Sequence, residues 1–330
     1  MSGFVIQTEN LCRTYKSYQK QEGLLNSVKG FFSRKYVEKR ALLPTTISIE
    51  PGQIVGLVGA NGAGKTTLLK LLSGLIVPSE GEALVLGFRP WERKYDFLRK
   101  ISLLLGQKNQ LWWDLTPNDS FQLLTKIYGL STIPARRRVE ELSHLLDCEH
   151  VLQTQLRRLS LGERMKMEII GALLHEPEVL FLDEPTIGLD IVAQSKIRDF
   201  LRDYVHKKSP TVILTSHYMD DIAILAHRLL LIQKGTIVYD GSVNHFMETT
   251  DKEQVVSGKF QAPLSKNFLL PGNLELNAGK KEFHLKIMAE NLSTFLPALI
   301  QVGPIDELKI EKVDFEDVMH QFLQAESSIR

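Results

Sequence analysis

Gly59, Gly62 and Gly64 punctuate a run, Gly59-Ala60-Asn61-Gly62-Ala63-Gly64-Lys65-Thr66, that closes on an amine and a hydroxyl, with Thr67 next. The spacing G-x-x-x-x-G-K-[ST] suits a cradle for phosphate. Glycines let the chain curl until successive N–H groups converge on phosphate oxygens, and a helix beginning at Lys65 adds its positive end. In that chemistry Lys65 reaches the outer phosphates of a nucleoside triphosphate, ATP, and Thr66 offers its hydroxyl to Mg2+.

A second constellation lies downstream. Val179 to Leu182 is a short apolar run that leads directly into Asp183-Glu184-Pro185. Two carboxylates at the carboxyl end of a buried parallel strand face the crevice where such sheets bind ligands. Asp183 is suited to holding Mg2+ through its water shell, and Glu184 to orienting and polarising an attacking water. Such a strand end could also cap the next helix; the phosphate loop upstream favours the chemical reading.

The elements that must position these groups follow from periodicity. Gly52 to Gly59 reads as a strand and Lys65 to Leu75 as a helix, so the loop stands between strand and helix as the motif requires. The run Ile101 to Leu105 predicts a strand, followed by a helical insertion over residues 108–160 with Phe121, Leu124 and Ile127 at helical spacing. After the carboxylates come a helix over Val192 to His206, a strand over Thr211 to Thr215 and a helix over Met219 to His227. A hairpin then has arms Arg228 to Gln233 and Thr236 to Asp240 about Lys234-Gly235. Alternating strands and helices predict an α/β fold with a largely parallel sheet. Beyond a boundary near Phe246 the pattern becomes a small α+β tail. Its strands are expected at Gln254 to Gln261, Asn273 to Asn277, Glu282 to Ile287 and Ile305 to Ile310, and its helices near Glu290 to Gln301 and at Phe315 to Leu323. The expected domains are therefore residues 1–245 and 246–330.

Composition sets the limits. The chain has 330 residues, enough for two domains, and its 40 basic against 39 acidic residues leave a formal net charge of +1. That balance creates no global field that selects nucleic acid or an anionic membrane. Cys12 and Cys148 lack metal-ligand or redox spacing, which points to free core thiols and a reducing cytosol. The polar Gln7-Thr8-Glu9-Asn10 interrupts any signal-like apolar stretch at the start, and no apolar run approaches the ~20 residues of a membrane-crossing helix.

Leu159-Ser160-Leu161-Gly162-Glu163, about twenty residues before Asp183-Glu184, resembles the signature sequence of the ABC ATPases. Gln107 after a strand, Gly188-Leu189-Asp190 after the carboxylates and His217 in Thr215-Ser216-His217 continue the resemblance in order, over Phe4 to about Asp240. The family implies a P-loop NTPase fold, ABC-type with a helical subdomain, and ATP hydrolysis in a dimer. Each ATP is sandwiched between one subunit's loop and the other's signature helix, where Ser160, Gly162 and Glu163 meet it. By the same resemblance Tyr15 stacks on adenine, Gln107 senses Mg2+ and the attacking water, His217 contacts the γ-phosphate and Asp190 links the two sites.

The signature departs from the commonest pattern at Leu161 and Glu163, where a glycine and a glutamine are usual. Leu161 adds bulk at the interface, though it recurs in drug-export and sodium-export ATPases, and Glu163 is expected to bring a carboxylate toward the partner's ATP. Leu111-Trp112-Trp113-Asp114-Leu115 opens the insertion where the family receives a coupling helix, so the paired tryptophans either line that groove or pack in the core. Lys16 to Arg40 is an insertion in which Lys29, Arg34, Lys35, Lys39 and Arg40 surround Phe31, Phe32 and Tyr36. A solvated hairpin or helix is one reading of it, contact with lipid headgroups or a partner another. With Phe315-Glu316-Asp317-Val318 in the tail, these features resemble a bacterial branch of exporter ATPases that work with two separate membrane permeases. The resemblance thus implies a homodimer on the inner face of the cell membrane, bound to permeases and not to nucleic acid. A non-transport ABC ATPase acting on nucleic acid or ribosomes is the alternative; it normally brings a long coiled coil, zinc-binding cysteines or a second phosphate loop.

Overall fold

The computed structural model describes residues 3–18, 36–106, 108–216, 218–250, 253–262, 275–276 and 281–312. The chain divides into two compact units, Met1–Gly241 and Ser242–Arg330. The division falls a few residues before the Phe246 expected from sequence.

The first unit opens with β1 (Ile6–Tyr18), β2 (Tyr36–Thr45) and β3 (Ser48–Ile49), followed by β4 (Ile54–Val58), α1 (Lys65–Leu72) and β5 (Glu80–Val85). β1 is the hub of an antiparallel sheet, paired with β2, β3 and β5. This sheet was not anticipated, because its pairs join segments far apart in sequence, such as Ile6 with Val85. The long arms β1 and β2 also absorb both ends of the charged Lys16 to Arg40 stretch, with Lys16 ion-paired to Glu38 at 3.2 Å. Lys29, Phe31, Phe32, Arg34 and Lys35 lie outside the described residues.

The second sheet carries the chemistry. α2 (Tyr95–Leu98) precedes β6 (Ile101–Leu105), and α3 (Pro117–Ile127), α4 (Thr132–Leu145) and α5 (Leu161–Leu173) form the helical insertion. β7 (Val179–Asp183), α6 (Ile191–Lys208), β8 (Thr211–Thr215), α7 (Met219–Leu225), β9 (Arg228–Gln233) and β10 (Thr236–Ser242) complete it. The strand order is β10-β9-β4-β8-β7-β6, parallel from β9 to β6. Every residue of β4, β7 and β8 is buried, as expected of central parallel strands covered on both faces. Leu57, Leu68, Leu72, Phe181 and Ile213 share one core that seats α1 on the sheet. Each such side chain contributes roughly 1.5–3 kcal/mol when fully buried. The parallel order places the carboxyl ends of β4, β7 and β8 side by side, and the sequence motifs sit at those ends.

The second unit holds α8 (Val243–Thr250), β11 (Glu253–Phe260), β12 (Glu275–Leu276), β13 (Glu282–Met288), α9 (Leu292–Val302) and β14 (Ile305–Lys312). Its sheet order is β12-β13-β11-β14, with the described pairs antiparallel. Phe295, Leu299 and Val302 of α9 pack on Val256, Phe260, Phe283 and Leu285, with the Phe260 and Phe283 rings 4.9 Å apart. The helix expected over Phe315 to Leu323 lies outside the described residues.

Candidate functional site

The phosphate loop leaves β4 and turns into α1 through backbone that glycine alone accepts. Gly59 has φ 157°, and a Cβ there would stand 2.1 Å from the Ile232 carbonyl oxygen; Gly64 has φ 121°, and its Cβ would stand 2.7 Å from the Ala41 carbonyl. These contacts hold the loop tightly against β9 and β2, so the N–H groups can converge only because side chains are missing. The Lys65 Nζ donates to the carbonyls of Gly59 at 2.7 Å and Ala60 at 3.2 Å. Burial pushes the Lys65 ammonium below the ordinary lysine range, and the carboxylates of Glu184 and then Asp183 oppose that shift.

One helical residue later, Thr66 Oγ1 donates to Asp183 Oδ2 at 2.9 Å, while Thr215 Oγ1 donates to Asp183 Oδ1 at 2.8 Å. Asp183 is thereby fixed from both sides. A hydroxyl and a carboxylate oxygen at the head of the phosphate loop are hard donors of the kind Mg2+ prefers. Among the described residues no group of three or more His, Cys, Asp or Glu could hold a metal.

Glu184 follows with φ 57°, a left-handed conformation that side chains disfavour. It is held there by its own N–H, which donates at 3.0 Å both to the Thr215 carbonyl and to Thr215 Oγ1. Strain of this kind persists where surroundings over-determine the backbone, and it aims the Glu184 side chain into the cleft that Lys65 and Thr66 also line.

That cleft, about 230 Å³, is lined by Tyr15, Lys39, Asn61, Gly62, Gly64, Lys65, Thr66, Thr67 and Glu184. Tyr15 therefore comes to the phosphate loop, and the Arg13 guanidinium lies 4.8 Å from its ring centroid. Lys39 is its cross-strand partner. Sequence reasoning placed Lys39 in a charged insertion and missed it here, because only the β1–β2 register brings it to the cleft.

Gln107 and His217 lie outside the described residues. Their neighbours are closely set. The Gly106 N–H donates to the Asp183 carbonyl at 2.7 Å, and a Cβ on Gly106 would stand 2.1 Å from the Glu184 carbonyl. Ser216 Oγ donates to Asp221 Oδ2 at 2.7 Å, Thr186 Oγ1 donates to the same oxygen, and Arg198 pairs with Asp221 Oδ1 at 2.9 Å. Asp221, 1% exposed, thus ties the segment after Glu184 to the segment before His217. No motif in the sequence marks it.

The signature helix α5 starts at Ser160 with a reciprocal cap. The Glu163 N–H donates to Ser160 Oγ at 3.3 Å, and the Ser160 N–H donates to Glu163 Oε2 at 2.9 Å. The Ser160 hydroxyl also donates to Glu163 Oε2 at 2.7 Å, and these bonds hold the Glu163 carboxyl below its usual range. Within one chain the Glu163 carboxylate is thus engaged by its own helix end, at the same Ser160 that the resemblance sends to the partner's ATP. Close by, Leu161 approaches Gly188, and Gly162 approaches Ala193; Asp190 caps α6 by accepting from the Ala193 N–H at 2.9 Å. Leu161, Ile191 and Val192 are exposed. Trp112 and Trp113 are exposed as well, and the Arg164 guanidinium lies 5.2 Å from the Trp113 ring. A groove of about 450 Å³ is lined by Leu75, Tyr95, Leu111, Leu124, Ile127 and Tyr128 among others, and not by the two tryptophans.

Residues 42–187 match the family model described as ABC transporter. The chain is 30% identical over 227 residues to the ABC transporter ATP-binding protein NatA of Bacillus subtilis (strain 168), spanning 68% of this chain and 92% of that protein. It is 32% identical to the daunorubicin resistance ATP-binding protein DrrA3 of Streptomyces coeruleorubidus, over 67% of this chain and 70% of that one. The dimeric ATP-binding cassette MJ0796, in a post-hydrolysis state with ADP and Pi, superposes with a TM-score of 0.61 at 23% identity, over 72% of this chain and 98% of that one, which shows the shared fold. With the phosphate loop, the paired carboxylates and the capped signature helix in this arrangement, the chain belongs to the ATP-binding subunits of ABC transporters.

Proposed function

We propose that this chain is the ATPase motor of an exporter: two copies close on two ATP molecules, and hydrolysis reopens them to drive two separate permease subunits on the inner face of the membrane. One observation carries this reading. Among the described residues lining the cleft of Tyr15, Lys65, Thr66 and Glu184, none belongs to Ser160–Gly162, so the tip of α5 does not serve its own chain's cleft and is assigned here to that of a second copy. The exposed Leu161, Ile191 and Val192 around that tip supply apolar surface for such a closure.

In this reading Lys65 and the loop N–H groups of Asn61 to Thr67 bind the phosphates, Tyr15 stacks on adenine, and Ser160 and Gly162 of the second copy cover the γ-phosphate. Glu163 acts by shaping that helix tip, and Asp190 lies where the two copies meet. Thr66, Asp183 and, by resemblance, Gln107 hold Mg2+, which neutralises charge on the phosphates when bound. Glu184 orients the water, and His217 supports the γ-phosphate by the same resemblance.

No helix among the described residues is long and apolar enough to cross a membrane, which suits a motor that works through permeases. The groove walled by Leu75, Tyr95, Leu111 and Ile127 is the surface we assign to them. The export direction rests on likeness to proteins named for drug resistance and bacitracin transport.

The test is Glu184→Gln. With ATP and Mg2+ the variant should double its mass in solution and release almost no phosphate, and the unsubstituted chain should turn ATP over. A variant that stays monomeric in saturating ATP would sink the dimer reading.

A further inference from the structure

The signature helix carries a stripe of three residues beyond its capped tip. Arg164, Glu168 and Gly171 recur at i, i+4 and i+7, which places them on one face of α5. All three meet the segment that follows β6. The Arg164 guanidinium lies 5.2 Å from the Trp113 ring centroid. Glu168 Oε1 accepts from the N–H groups of Gln110 at 3.0 Å and Leu111 at 3.2 Å, and Glu168 Oε2 is 3.2 Å from the same Gln110 nitrogen. At Gly171 a Cβ would stand 3.1 Å from Leu111 Cδ2 and 3.2 Å from Leu124 Cδ1. A glycine inside a helix weakens it, so this one is explained by the room it gives Leu111.

Glu168 is 5% exposed, and burying a carboxylate is costly unless it is well bonded. Here it is bonded to two consecutive backbone N–H groups of a segment that has no helix or strand of its own to satisfy them. The segment begins at Gly106, whose N–H bonds the Asp183 carbonyl, and it forms one wall of the 450 Å³ groove through Gln110 and Leu111. A single carboxylate therefore joins the groove to the helix that begins at Ser160, through a segment whose first residue, Gly106, bonds the Asp183 carbonyl.

We propose that Glu168 is a positioning residue for ATP hydrolysis: it clasps residues 110–113 to α5, so that a displacement starting beside Asp183 moves Ser160 and Gly162 with it. Glu168 touches neither substrate nor reacting water. It sets where the helix tip stands when a second copy's ATP meets it, and so rests on the dimer reading above.

The test uses the purified full chain with Glu168→Met, which keeps the bulk and removes the acceptors, and Glu168→Gln, whose amide oxygen still accepts. Hydrogen exchange at the amides of residues 110 and 111 should quicken at least about tenfold in Glu168→Met and stay near the unsubstituted rate in Glu168→Gln. In ATPase assays below the melting transition, Glu168→Met should lose roughly tenfold in kcat with KM for ATP within about twofold, and Glu168→Gln should recover most of it. Gly171→Ala, which favours helix but pushes Leu111 outward, should give the same split of kcat from KM and keeps the test open where Glu168→Met fails to fold. Unchanged exchange at 110 and 111, or a folded Glu168→Met or Gly171→Ala with kcat within twofold of the unsubstituted chain, overturns the proposal. So does a loss that Glu168→Gln fails to recover. The exchange measurement needs no turnover, so its failure is distinguishable from failure of the dimer reading.

Discussion

Thr66 Oγ1 and Asp183 Oδ2, 117 residues apart in sequence, stand 2.9 Å apart across the mouth of the parallel sheet. The contact exists because β4 and β7 both flank β8, so the loop after one and the carboxylate ending the other open into the same crevice. Asp183 has both oxygens engaged, one by Thr66 and one by Thr215. Asp183→Asn must therefore turn an amide group toward one of two hydroxyls and loses the charge a divalent ion needs. Hydrolysis measured against Mg2+ concentration should fall on the order of 100-fold at saturating metal. Retention of most turnover at ordinary Mg2+ would remove Asp183 from the metal site.

Lys65 gives a pH prediction. Burial depresses its pKa, and Glu184 and Asp183 only partly restore the charged form. Raising the pH should discharge it earlier than an ordinary lysine, and ATP affinity should decline across the range between neutrality and the usual lysine value of about 10.4. Lys65→Ala should bind at least about 100-fold more weakly and lack this decline, because loop N–H groups do not titrate there. The check is nucleotide affinity by fluorescence titration from pH 7 to 10 for both chains; parallel curves would exclude Lys65 as the titrating group.

The parts of the site that could be read in advance are those encoded at short range. The phosphate loop and Asp183-Glu184 each combine an apolar strand with a polar terminus inside a few residues, and their strands lie where periodicity puts them. Lys39 was opaque because its place depends on pairing with Tyr15 across the long Lys16 to Arg40 stretch. Asp221 and Glu168 were opaque for a similar reason: each is an ordinary helical acid until tertiary structure supplies Ser216, Arg198 or the Gln110 N–H. Glu163 is a different case. The Ser-x-x-Glu spacing of a capping box is present in the sequence, and it coincides with the signature position where a glutamine is usual.

Cys148 tests burial directly. It is fully buried, its Sγ donates to the Ser143 carbonyl at 3.4 Å, and desolvation pushes the thiol up to about 12. Thiol reagents at pH 8 should leave it unmodified until the chain is unfolded. Because the folded value lies above the unfolded value of ~8.5, the unfolded state releases its proton first as pH rises. This contribution to stability is complete below about pH 8.5 and declines between there and about 12, with a limiting slope near 1.4 kcal/mol per pH unit. Urea midpoints from pH 8 to 10.5 should fall less steeply for Cys148→Ala than for the unsubstituted chain, whatever the cavity costs at pH 7. Equal slopes would mean that the thiol ionises as freely in the fold as outside it.

The cap of α5 separates the roles of Ser160 and Glu163. Ser160→Ala removes the acceptor for the Glu163 N–H at the helix start and should cost about 1 kcal/mol in stability at neutral pH. Glu163→Gln keeps an oxygen that accepts from the Ser160 N–H, as glutamine does in other capping boxes, and should cost less than Ser160→Ala. The acid dependence distinguishes the two further. The Ser160 bonds depress the Glu163 pKa, so the carboxylate's contribution is present above its unfolded value of about 4.3 and is lost as pH falls through the lower folded value. Glu163→Gln should remove that acid-side loss, and Ser160→Ala should shrink it, because the side-chain bond from Ser160 is the largest cause of the shift. Urea midpoints between pH 3 and 7 for the three chains provide the measurement. If Glu163→Gln lost stability with falling pH as steeply as the unsubstituted chain, the carboxylate would not be turned back on Ser160, and its place would have to be sought at the exposed face of the helix tip.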